Sequence, residues 1–157
     1  MNKTILEPSR EIEVIKETDV LVVGSGPGGL PAALSAARAG VEVALVERFG
    51  CFGGNLTVVG VEGMHWYRHE ETVESDGICR EFEEKAIEMG AAVPESQSLS
   101  HEIDSEGFKL VADQLVSDEA NLYPMLHRSF VAPVMEGDTI KGIITESKSG
   151  RLSLIHI

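Results

Sequence analysis

Gly24-Ser25-Gly26-Pro27-Gly28-Gly29 and the acid Glu47 are the residues of this chain whose types and spacing serve a definite chemistry. Bare backbone can lie against a diphosphate, and a carboxylate can accept from sugar hydroxyls. Gly24 allows a sharp turn, Gly26 lets the backbone approach a pyrophosphate, and Gly29 removes the side chain that would hold a following helix off a sheet. Pro27 brings a φ suited to a helix start and lacks an N–H that the first turn would leave unpaired. Pro31 lies deeper but still within the tolerated opening turns. Unpaired N–H groups and the dipole at such a helix start favour a phosphate by about 0.3–1 kcal/mol. Glu47, about 20 residues beyond the last glycine, is spaced to accept from an adenosine ribose, and its charge argues against a 2′-phosphate and so against NADP.

These residues need a strand, a helix and a second strand to hold them. Val20–Val23 is a continuous β-prone run, as in a parallel-sheet strand covered on both faces. Leu30, Ala33, Leu34 and Ala37 recur at i, i+3, i+4 and i+7 and predict one packed helical face. Gly40 is placed to end that helix, and the apolar run from Val41 to Val46 predicts a second buried strand closing at Glu47. The result is a dinucleotide-binding βαβ unit, hence an α/β, Rossmann-like domain with a central parallel sheet. Taken alone, the unit does not separate FAD from NAD.

The next residues do. Arg48-Phe49-Gly50-Cys51-Phe52-Gly53-Gly54-Asn55-Leu56-Thr57 places a glycine pair just past the acid, where an NAD fold usually moves straight into another helix. With this stretch the chain resembles the amino-terminal part of the FAD-dependent oxidoreductases of the glutathione-reductase-like superfamily. Within it, the chain is most similar to the bacterial group with a segment like Arg10-Glu11-Ile12-Glu13-Val14 before the first strand. The likeness extends to about Arg151 and is sharpest from Glu17 to Thr57. It implies FAD as cofactor, with Gly24 to Gly29 on the pyrophosphate and Glu47 on the adenosine ribose. Arg48, Gly53, Gly54, Asn55 and Thr57 would line the approach to the phosphates and flavin. The strand spanning His127 to Glu136 would contact adenine from its backbone, with Phe130 aligned there. It further implies a later strand with a Thr-Gly-Asp-like motif and a substrate domain, so the catalytic residues are not identified within this sequence. Thiazole-synthase-like proteins, a plain NAD dehydrogenase and an inactive binding fragment are the alternatives.

With 157 residues and a net charge of −13, the chain has room for about one domain with its own core. Its 13 basic residues are scattered among 26 acidic ones, which argues against a nucleic-acid partner. No apolar stretch has the length of a membrane span, and Glu7, Glu11 and Glu13 interrupt any signal-like core, so a cytoplasmic protein acting on a small molecule is expected. Cys51 and Cys79 make neither a CxxC pair nor a disulfide scaffold; Cys51, in the suspected flavin loop, reads as a small buried hydrophobe ahead of a redox or attachment site. His65, His69 and Glu70 share a helical spacing but lack a third ligand, so no metal is expected; His65 or Glu62 reaching flavin or substrate is the lesser reading beside ordinary packing. Trp66 and Tyr67 are expected to cover a core or an interface.

Asp76 or Ser75 can cap a helix from about Gly77 to Met89, with Ile78, Phe82, Ala86 and Met89 on one face and Gly90 ending it. Ala91 to Ser100 reads as a polar loop. Asp104 or Ser105 can cap a further helix with Phe108, Val111, Ala112 and Leu115 inward. Runs at Ser129–Met135 and Ile140–Ser147 flank Glu136-Gly137-Asp138-Thr139 and predict an antiparallel hairpin. Lys148-Ser149-Gly150-Arg151 reads as a turn into another strand. Leu152 to Ile157 resembles the translation of a transposon-end sequencing adapter, so the partial FAD-binding domain is expected to occupy residues 1–151, with 152–157 non-native; the apolar residues there would also allow a real strand.

Overall fold

The two larger sheets stack as separate layers because the chain changes layer at Asp19. In the computed structural model, which describes residues 3–63, 68–69, 72–73, 76–95 and 100–156, β1 spans Val14–Thr18 and β2 spans Val20–Val23. The Asp19 carboxylate accepts from the Glu42 backbone N–H at 2.8 Å, and the Thr18 hydroxyl donates to the Glu42 carbonyl at 2.7 Å, fixing the step. Helix α1 (Gly29–Arg38) follows, then β3 (Val43–Val46). Gly40, at φ +91°, donates its N–H to Ala37 and turns the chain out of α1, as expected.

A one-turn 3₁₀ helix at Gly54–Leu56 precedes a short antiparallel pair, β4 (Arg68–His69) and β5 (Thr72–Val73). His69 is therefore extended, and the helical spacing supposed for it does not form. His65, Trp66, Tyr67, Glu70 and the alternative cap Ser75 lie outside the described residues. Helix α2 (Ile78–Glu88) buries Phe82 and Ala86, but Met89 stands past its end, 40% exposed, rather than on the packed face. The supposed loop from Ala91 to Ser100 contains a strand, β6 (Ala92–Pro94), paired antiparallel with β7 (His101–Ile103) just beyond it, and three-residue strands are too short for their alternation to be read. Asp104 caps α3 (Ser105–Ser117), its Oδ1 accepting from the N–H groups of Glu106 at 2.9 Å and Gly107 at 3.2 Å.

Strand β8 (Leu122–Met125) was not expected, since Pro124 interrupts the run. It is an edge strand paired to β3 alone, and the Asn121 and Met125 carbonyls accept from β3 and Glu47, so by alternation the ring nitrogen of Pro124 faces the open side where no N–H is needed. The chain ends in β9 (Ser129–Glu136), β10 (Thr139–Ser147) and β11 (Gly150–His156). The expected β9–β10 hairpin is present, turning at Gly137 with φ +58°.

Strands β2, β3 and β8 form the parallel sheet in the order β2-β3-β8. The second sheet runs β1-β11-β10-β9, with β1 parallel to β11 and the rest antiparallel. Alternate residues of the parallel sheet serve two cores. Val43 and Leu45 pack with α1, α2 and α3 through Leu30, Leu34, Phe82 and Phe108, and the two rings meet edge to face at 5.8 Å. Ala44, Val46 and Met125 face Ile143 and Leu154 of the second sheet. All four residues of β3 are buried, the continuous apolar run explained by cover on both faces. In β2 the cover reaches Val22 and stops at Val23, which is half exposed.

The α1–sheet contact depends on one missing side chain. A Cβ at Gly29 would lie 1.9 Å from the Gly24 carbonyl oxygen, whereas one at Gly28 would meet nothing within 4 Å. Gly29→Ala is expected to lower unfolding free energy by about 2 kcal/mol or more through this overpacking, and Gly28→Ala to stay within about 0.5 kcal/mol of wild type. Urea unfolding of the two variants side by side checks the contrast.

Candidate functional site

The carboxyl ends of β2, β3 and β8 open into a cleft of about 320 Å³. Gly24 makes the turn at the end of β2 with φ +93°, and its N–H continues the ladder to Val46 O at 2.7 Å. The chain then enters α1, whose first turn carries no acidic residue and no side-chain cap. The glycine pair folds onto this turn: Gly53 N–H donates to Ser25 O at 2.9 Å, and a Cβ at Gly54 would stand 2.6 Å from Gly26 Cα. Two glycine loops thus lie in contact, and the contact requires Gly54 to be bare.

Gly26 is different. It has no positive φ, and a Cβ there would meet no protein atom within 4 Å. Nothing in the protein's own packing demands glycine at this point, so the backbone is bare toward open space, as a closely approaching diphosphate requires.

Glu47 is 5% exposed and its carboxylate is already engaged. Oε2 accepts from both the N–H (2.8 Å) and the hydroxyl (2.6 Å) of Ser25, and Oε1 accepts from the Phe49 N–H at 2.9 Å. Burial pushes its pKa up, but the Ser25 hydroxyl and the N–H groups of Phe49, Ser25 and Arg48 outweigh burial and hold it below the ordinary glutamate value. Ser25 itself is fully buried, so its side chain is spent on positioning Glu47. A carboxylate offers about four lone-pair directions, and the three hydrogen bonds from Ser25 and Phe49 leave one of them open.

Of the residues singled out from the sequence, Gly24, Glu47, Arg48, Gly54, Asn55 and Phe130 line the cleft. Arg48 lies over the Phe49 ring at 4.5 Å from its centroid. Gly26, Pro27 and Gly53 do not line the cleft and instead border a small apolar cavity of about 70 Å³. Thr57 is buried, its hydroxyl donating to Phe52 O at 2.6 Å, so it fastens the glycine-pair loop from behind. The sequence reading missed Phe49, Val58, Val59 and Arg128, which also line the cleft. The first three have no local signature, but Arg128 follows His127, a non-glycine residue at φ +57°, which no sequence pattern announces.

Both cysteines are free. Cys51 Sγ lies 3.9 Å from Thr57 Oγ1, and the Cys79 thiol is pushed up by burial and then by nearby Glu83, the state of an unreactive thiol. Glu62 Oε1 accepts from Ser105 N–H at 3.3 Å, at the start of α3. Among the described residues no helix is long and apolar enough to cross a membrane.

Comparison with known proteins agrees with this geometry. A segment of 63 residues is 40% identical to 3-oxosteroid 1-dehydrogenase of Mycolicibacterium smegmatis, covering 40% of this chain and 11% of that protein. A segment of 42 residues is 52% identical to dihydrolipoyl dehydrogenase of Trypanosoma brucei brucei, covering 27% of this chain and 9% of that protein. The matches thus span about a tenth of the length of these relatives. The solved structure of a geranylgeranyl bacteriochlorophyll reductase-like protein from Thermoplasma acidophilum superposes with a TM-score of 0.60 at 18% identity, over 90% of this chain and 38% of that one, a likeness of fold. The pattern of one family matches residues 19–155, across both sheets and the cleft between the strand ends and the glycine pair, and by that match the chain belongs to the FAD dependent oxidoreductase family.

Proposed function

We propose that this chain forms the adenosine- and pyrophosphate-binding part of the FAD site of an oxidoreductase that passes hydride or electrons between a small organic substrate and the flavin. Gly26 carries the reading: it is bare for no reason internal to the protein, and it sits beside an uncapped helix start. In this reading Gly24 to Gly29 take the pyrophosphate and Glu47 takes a ribose hydroxyl on its remaining lone pair. Arg48 and the Gly53 to Asn55 loop flank the phosphates, and Phe130 lies against adenine. Ser25 and Thr57 hold these groups in place from behind. The family match favours flavin over the nicotinamide alternative. When bound, FAD supplies the redox chemistry through its isoalloxazine ring, and the protein's part is to bind and orient it. The acidic composition and the unpaired cysteines fit a cytoplasmic setting.

The direct test is the absorption spectrum of the complete protein, purified and reconstituted with FAD. Flavin bands, with FAD released on denaturation, are expected; a colourless protein that retains NAD instead would overturn the reading. Glu47→Ala should weaken FAD by about 1.5–3 kcal/mol, the range for hydrogen bonds to a charged group, as read by fluorescence titration. Gly26→Ala should weaken FAD retention while leaving the urea midpoint of the cofactor-free protein nearly unchanged, because its Cβ would meet no protein atom and would stand in the space proposed for the diphosphate.

Glu47 also ties stability to pH. Its folded pKa is depressed, so its contribution is fully present above the unfolded value of about 4.3 and is lost as pH falls through the lower folded value. The stability gap between wild type and Glu47→Gln should therefore be constant from neutral pH down to about 5 and narrow below about 4.3. Urea unfolding across that range reads the gap.

A further inference from the structure

Among the described arginine side chains, Arg10, Arg38, Arg80 and Arg151 each pair with at least one carboxylate. Two do not, Arg48 and Arg128, and both line the cleft. In a chain with twice as many acids as bases, these two stand apart from the other described arginines. Arg48 has the Phe49 ring. Among the described residues no hydrogen bond reaches the Arg128 guanidinium, and its Nη1 is shielded from water without an acceptor. A buried donor left unpaired is costly, so either the site tolerates the cost or an absent group supplies the acceptor.

The backbone argues for the second. Arg128 N–H donates to Glu47 O at 2.9 Å and His127 N–H donates to Phe49 O at 3.0 Å, so the Arg128 Cα is stitched to the residue that faces the ribose. The His127 ring packs on Gly50, where a Cβ would come within 2.7 Å of it, and His127 holds a left-handed φ of +57°. Several local features thus fix the backbone that carries this cation against Glu47 and Phe49, on the wall of the cleft.

We propose that Arg128 anchors the adenosine half of the dinucleotide, its guanidinium donating to an acceptor there, either an adenine ring nitrogen or an adenosine-side phosphate oxygen. The proposal rests on the FAD reading above and adds a residue that reading does not use. Because the acceptor belongs to the ligand, Arg128 costs stability in the cofactor-free protein and returns it on binding.

The test titrates the complete, cofactor-free protein with ADP, adenosine and FAD by calorimetry, in wild type, Arg128→Met and Arg128→Gln. ADP and FAD should weaken at least about tenfold in both variants, the scale of one charge-assisted bond. The cofactor-free melting temperature should hold or rise, a sign opposite to that of a structural role. A parallel loss for adenosine would place the acceptor on the nucleoside, and a loss confined to ADP and FAD would place it on the phosphate; either supports the anchor. ADP affinity within about twofold of wild type in the variants overturns the inference while leaving the FAD reading intact. Wild type that binds neither ADP nor FAD overturns both. If Arg128→Met does not fold, Arg128→Gln decides by the same criterion.

Discussion

The Glu47 carboxylate is the tie on which the strand ends depend. It stands at the end of the fully buried strand β3, takes two donors from Ser25 after β2 and one from Phe49 in its own loop, and its backbone exchanges hydrogen bonds with Met125 and Arg128 on either side of the β8–β9 junction. Three segments distant in sequence meet on one residue. An ionised acid in a nearly closed setting is stable because three hydrogen bonds from Ser25 and Phe49 meet its carboxylate. The same donors set the spacing between the glycine turn and the loop that carries Arg48, so the shape of the cleft follows from satisfying one charge.

Around that tie, the protein packs three layers with β3 in the middle. The helices cover one side of the parallel sheet and the four-stranded sheet covers the other. Neither layer reaches the strand ends, where the turns are bare by glycine. Half-exposed Val23 and Phe130, both on the cleft wall, are apolar surface left uncovered at those strand ends. Family membership and the site geometry meet here: the uncovered end of the parallel sheet is where α/β folds bind their ligands.

The βαβ unit was legible in the sequence because each of its residues answers a local demand. Gly29 must be bare to let α1 reach the sheet, Gly40 must turn left-handed, and Glu47 must follow a buried run. The Asp104 cap and the β9–β10 hairpin are local in the same way. What could not be read depends on distant contacts. Pro124 disguised β8, since only its place at an edge makes a proline acceptable. Ser25 and Thr57 look like ligand-facing residues within their motifs, and only the fold reveals that their hydroxyls point into the protein. Arg128 carries no motif, and its isolation from carboxylates is a property of the assembled structure.

Pro124 has one more effect, on how the parallel sheet can grow. Its ring nitrogen faces the outer side of β8, which removes a donor from that edge and discourages another strand from docking there. On the opposite side, Val20 and Gly24 turn their N–H groups toward β3, so by alternation Leu21 and Val23 turn theirs outward, and that edge keeps its donors. The sheet is therefore directional, closed to additions at one margin and receptive at the other. A further parallel strand would join beside β2 and would end next to the Gly24 turn, where any side chain it carried would overlook the space left open at Gly26.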